Sequence, residues 1–181
     1  MTISYNRSFM ATMTPQQSAD RIKDVVDEIL DEVHRLPGDL ITWKPADDVW
    51  SVLEILCHID EFVPFWTDEA VSIVRDPSRK WGRDHTDTRR LEAVKAAPAR
   101  ELRDVERSIR TGVSDASAKL AALRETDLQI TAMSHNPRWG TKPAAFVVDD
   151  LLVHHVEKHL GQIRRNVAQY NESGKRQQER V

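Results

Sequence analysis

Leu151-Leu152-Val153-His154-His155-Val156-Glu157-Lys158-His159-Leu160-Gly161-Gln162-Ile163 is the stretch on which the fold turns. It lies inside a longer helical period in which Ala145, Val148, Leu152, Val156, Ile163, Val167 and Tyr170 share one face. A helix is therefore expected from near Thr141 to Pro143, giving way to a polar, irregular tail over 172–181. At about 100° per residue, His155 and His159 are only about 40° apart and fall beside Val148 and Leu152, so both point inward. His154 falls on the other side, next to Lys158, and points to solvent.

Three similar periods lie upstream. The first opens on Thr14-Pro15-Gln16-Gln17, an N-cap threonine, a proline at the first helical position and a glutamine at the third. Ile22, Val25, Val26, Ile29, Leu30, Val33 and Leu36 continue it until Pro37-Gly38 stops it. The second opens on another capping box, Ser51-Val52-Leu53-Glu54, and carries Ile55, Ile59, Phe62, Trp66 and Ile73 to about Arg75. Pro64 removes a backbone donor inside it, and a kink is expected one to two turns beyond His58. The third runs from Pro98 to about Arg124 through Leu102, Val105, Ile109, Val113, Ala116, Leu120 and Leu123.

The connections read as loops: a lead-in over 1–13, a turn-rich span over 37–50 containing Trp43 and Trp50, and spans over 77–97 and 125–140. No strand-like alternation competes, so the expected architecture is an all-α four-helix bundle, one domain over 1–181. The link over 77–97 allows a short helical turn around Leu91 and Val94. It is long enough to run back along the bundle, which lets the second and third helices lie parallel.

Composition narrows the function. The 181 residues are 40% hydrophobic and 30% charged, as in an ordinary globular chain. The 26 Lys and Arg against 29 Asp and Glu give a net charge of -3, which argues against a nucleic-acid partner held by electrostatics. A single cysteine excludes an internal disulfide framework, and no long apolar run or signal-like segment argues for a membrane partner, so a cytoplasmic protein is expected.

His58 lies at the border of the apolar face of the second helix, between Ile55/Phe62 and a polar arc containing Glu61. Two inward histidines four apart, with a third from a facing helix, can place three imidazole nitrogens about 2.0 to 2.1 Å from one divalent ion and leave a position open. Gln162, three residues beyond His159, can orient that histidine or a bound water. The same spacing also suits satisfied core histidines with no metal, and it is not an HExxH motif, since Val156 stands where that motif has Glu. Cys57 reads as a packed hydrophobe rather than a nucleophile. His135, Trp81, Arg83, Arg138 and Trp139 lie in the two long loops as secondary candidates for lining a ligand pocket.

Two blocks, Trp50-Ser51-Val52-Leu53-Glu54-Ile55-Leu56-Cys57-His58-Ile59 and the 151–163 stretch, resemble the signature blocks of the DinB/YfiT-like superfamily. The approaches Trp43-Lys44-Pro45-Ala46 and Asn136-Pro137-Arg138-Trp139-Gly140-Thr141 resemble it as well, so the likeness spans most of the chain. The resemblance implies a bundle of up-down-down-up topology, often a homodimer, with a divalent metal on His58, His155 and His159. It also implies a small-molecule substrate, handled by an S-transferase using bacillithiol, mycothiol or glutathione, or by a metal-dependent hydrolase. Zn2+ and Ni2+ are the metals to which such a donor set points. No catalytic general base is evident, although Glu61 is placed to orient His58. The competing expectation is a non-catalytic dimeric bundle with a structural or adventitious metal and a stress-linked binding role.

Overall fold

A computed structural model describes residues 13–84 and 86–178. The lead-in expected over 1–13 therefore lies, apart from Met13, outside the described residues, as do the last three residues of the tail. Both capping boxes form. The Thr14 hydroxyl accepts from the Gln17 amide at 3.2 Å, and the Gln17 side chain accepts from the Thr14 amide at 2.9 Å, opening α1 (Pro15–Val33). Ser51 and Glu54 exchange the equivalent bonds at 3.2 and 2.7 Å to open α3 (Val52–Arg75), which continues past Pro64. Between them α2 (Gly38–Thr42) is a single helical turn in what reads as loop.

The other two long helices start and stop differently from their apolar periods. Pro98 lies in a 3-10 turn, Ala97–Ala99, and Arg100 is extended, so α5 spans Leu102–Ala121 instead of beginning at the proline. Thr141–Pro143 is strand, so the last helical run begins directly after it, at Ala144. It comprises α6 (Ala144–Phe146), a π-helical turn (Val147–Val153) and α7 (His154–Gln178). The tail expected to be irregular over 172–181 is thus helical to Gln178.

Residues that meet across helices give the directions. Ser117 bonds the Ala19 carbonyl, Arg110 pairs with Asp27 and His34 with Glu106, so α1 and α5 run antiparallel. Asp60 meets Arg100 and Asp68 meets Lys119, so α3 and α5 run the same way. Arg21 pairs with Glu157, and Arg164 with Glu28 and Glu32, which sets α7 parallel to α1. Each of α1 and α3 packs against both α5 and α7, and the shared core is built from fully buried residues such as Ile22, Ile29, Ile55, Phe62, Leu120 and Leu152. Among the described residues no helix is long and apolar enough to cross a membrane.

The expectation of no strands is corrected by a small hairpin. β1 (Thr131–Met133) pairs antiparallel with β2 (Thr141–Pro143), in register Thr131↔Pro143 and Met133↔Thr141. Three-residue strands are too short to show a period of two. The long link after α3 is tied down on this hairpin. The Trp81 amide donates to Met133 O at 3.0 Å, Trp81 O accepts from the His135 amide at 2.8 Å, and the indole N–H donates to Ala132 O at 2.8 Å. Gly82 follows at φ 81°, a left-handed conformation that suits glycine, and its amide donates to the Glu69 carboxylate at 2.6 Å. Trp81 is 1% exposed and stacks on Trp139 with centroids 5.5 Å apart. Trp81→Ala is therefore expected to cost about 3 to 5 kcal/mol of unfolding free energy, measured by denaturant titration. The link then enters α4 (Arg89–Ala96), a two-turn helix on α3 where only a turn around Leu91 and Val94 was expected.

Candidate metal centre

The antiparallel pairing of α3 and α7 brings His58 opposite His155 and His159, so that one ring nitrogen from each of the three lies within 4.8 Å of the other two. The ring centroids of the three are 4.8 to 5.2 Å apart. His58 is 2% and His159 6% exposed, whereas His155 is half-buried and marks the more open side. His154 points outward, its Nδ1 3.4 Å from Glu157. The wheel geometry of the quoted stretch is thus reproduced in three dimensions.

Two aromatic rings enclose the cluster. Phe62 stacks on His155 at 4.2 Å and touches His58 at 4.9 Å. Trp50 meets His58 edge-on at 5.1 Å and lies over His159 at 6.3 Å. Burial among these rings disfavours the charged forms, so the imidazole pKa values fall from 6.5 to about 2 for His58 and about 4 for His155 and His159. The neighbouring imidazoles push His58 down further, and His159 does the same to His155. All three are neutral at pH 7, the state in which a histidine offers a lone pair.

Second-layer groups fix their orientation. His159 Nδ1 lies 3.2 Å from Gln162 Oε1, an oxygen that only accepts, so the proton sits on Nδ1 and Nε2 carries the lone pair. That Nε2 is buried and has no hydrogen-bond partner, and neither has His58 Nδ1. Orphaned ring nitrogens within a neutral histidine cluster are what a resident cation would satisfy. The Leu151 backbone, inside the π-turn, works against the lowering of the His155 pKa.

The secondary candidates fall elsewhere. Glu61 does not orient His58; both its oxygens accept from Arg83 Nη2 at 2.7 Å. The Arg83 guanidinium also lies 4.1 Å above the Phe65 ring. A cavity of about 820 Å³ lies beyond this ion pair, lined by Glu61, Phe65, Glu69, Arg89 and His135 among others, and none of the three clustered histidines lines it. Trp81 and Trp139 are packing residues of the hairpin, and Arg138 is exposed. Cys57 is buried and burial pushes its thiol pKa up, against the opposing charge of Arg100, which suits a packed side chain.

Sequence patterns gave no sign that Trp50 and Phe62 form the walls. The π-turn did leave a signal, because the buried pairs Val147-Val148 and Leu152-Val153 are five residues apart rather than three or four.

A four-helix bundle with a buried cluster of three neutral histidines contributed by two of its helices defines the class of protein. The chain belongs to the DinB superfamily, which it matches over residues 11–163. Among solved structures it is similar to YfiT from Bacillus subtilis, described as a probable metal-dependent hydrolase with an unusual four-helix bundle topology. That likeness has a TM-score of 0.72 at 11% identity and covers 89% of this chain and 91% of that one. A protein of known crystal structure from Streptococcus pneumoniae is similar with a TM-score of 0.62 at 15% identity, over 84% of this chain and 90% of that one. No curated protein matches the sequence significantly.

Proposed function

We propose that this protein is a metal-dependent enzyme acting on a small molecule, with one divalent ion, Zn2+ or Ni2+, held by His58, His155 and His159. The observation that carries the reading is the convergence of three histidines, with one ring nitrogen of each within 4.8 Å of the others, in a cluster where His58 Nδ1 and His159 Nε2 are buried and unpartnered. A divalent ion bound there supplies a Lewis acid that lowers the pKa of a water or thiol in its open position. The chain's own residues keep the ligands neutral by burial, hold the His159 proton on Nδ1 through Gln162, and exclude water with Trp50 and Phe62. The description of YfiT supports hydrolysis, with water as the nucleophile. S-transfer from a low-molecular-weight thiol and a homodimeric assembly rest on the family resemblance in the sequence.

Protein purified without an affinity tag is expected to hold close to one divalent ion per chain by elemental analysis. His154→Ala is expected to leave metal affinity within about twofold of wild type, because that ring points to solvent. The metal-loaded protein is then assayed with ester and amide substrates, and with glutathione, bacillithiol or mycothiol plus an electrophile. Turnover that needs no thiol assigns hydrolysis, and turnover only with a thiol assigns S-transfer. A full complement of metal with neither activity overturns the enzymatic reading.

A further inference from the structure

His155 and His159 are fixed relative to each other by one helix, but His58 comes from another. Its distance from them depends on where α3 sits along α7. Sliding one helix past the other by a single residue is a displacement of about 1.5 Å. Apolar contacts re-form readily after such a shift, whereas metal–ligand distances tolerate only about 0.2 Å. Something directional has to set the register.

Asn166 supplies such a tie. It lies seven residues beyond His159 on α7, is 2% exposed, and donates from Nδ2 to the Trp50 carbonyl at 2.7 Å. Trp50 immediately precedes Ser51, the N-cap of α3, so the bond anchors the first turn of the helix that carries His58. The ring of the same Trp50 lies against His58 and His159. A buried amide between Ile163 and Val167 costs desolvation that a leucine of similar size would avoid, and the bond to Trp50 offsets that cost.

We propose that Asn166 is a positioning residue of the metal centre, acting through the Trp50 carbonyl to fix the register of α3 on α7. The proposal rests on the three-histidine reading above. The test uses Co2+ as the probe, with affinity and visible absorption measured on wild type, Asn166→Leu and Asn166→Asp. Leucine removes the donor while keeping a branched side chain of four heavy atoms. Aspartate keeps the shape and presents an oxygen to the Trp50 carbonyl, so it answers the same question if the leucine variant does not fold. Ile163→Val, a buried α7 change that leaves the amide intact, controls for loss of stability. Both Asn166 variants are expected to weaken Co2+ binding by about 10- to 100-fold and to alter the cobalt spectrum while helical circular dichroism is kept. Ile163→Val is expected to change neither affinity nor spectrum. A folded Asn166 variant with wild-type Co2+ affinity and spectrum overturns the inference. If wild type itself takes up no Co2+, the three-histidine reading falls and this inference with it. If His155→Ala abolishes uptake but the Asn166 variants do not weaken it, only the role of Asn166 is lost.

Discussion

Lowering the pH from 7 to 5 is expected to remove about 4 kcal/mol from the unfolding free energy of the metal-free protein, measured by denaturant titration. The sign follows from the three histidines. Their folded pKa values, about 2, 4 and 4, lie below the ordinary 6.5, so between these limits the unfolded chain binds protons that the folded chain refuses. Stability is complete above pH 6.5 and falls as the medium is acidified, by about 2 kcal/mol per histidine at pH 5. Asp149 works in the opposite direction. Burial, then the charge of Asp150, raises its carboxyl to about 6, so the folded state gains a proton on acidification and recovers about 1 kcal/mol. In His58→Gln the loss between pH 7 and 5 is expected to shrink by about a third to a half. An unchanged pH profile in that variant would show that the cluster is not buried in its neutral form.

A second large effect is expected from metal. A free ion concentration 100 times the dissociation constant stabilises the folded state by about 2.7 kcal/mol, which in a chain of this size raises the thermal midpoint by roughly 5 to 10 °C. His155→Ala and His159→Ala each remove one of three ligands and are expected to abolish that rise while helical content stays near wild type. The comparison is made with Zn2+ and Ni2+ at equal free concentrations, so that it also ranks the two ions. A rise of equal size in both variants would place the bound ion elsewhere in the molecule.

The helices were legible because their ends and faces are local properties. Thr14/Gln17 and Ser51/Glu54 close capping boxes within four residues, and each long helix shows its buried face in its own spacing. The inward His155 and the outward His154 follow from the same local geometry. What the sequence did not show depends on encounters between distant segments. The Arg83–Glu61 bond spans 22 residues, and the Trp81 indole bonds a carbonyl 51 residues away. Neither leaves a periodic trace. The helix α4 was legible only as a turn for a different reason, since Leu91 and Val94 are its only large apolar side chains and only Val94 is buried. Asn166 carried no signal either, because a lone polar residue between Ile163 and Val167 looks like an ordinary interruption of an apolar stripe until its partner is seen.

The strap through Trp81 bears on how copies of this protein keep apart. A sheet edge exposes unpaired amides and carbonyls that can recruit a strand from another chain. Trp81 bonds along β1 on the side away from β2 through both its backbone groups, to Met133 O and the His135 amide, so that edge is occupied from within the chain. The edge left over belongs to β2, which is three residues long and ends in Pro143, a residue with no amide hydrogen to offer. The hairpin therefore presents neighbouring molecules with too few free groups to template strand addition, and crowded solutions of the folded protein should be spared aggregation by that route.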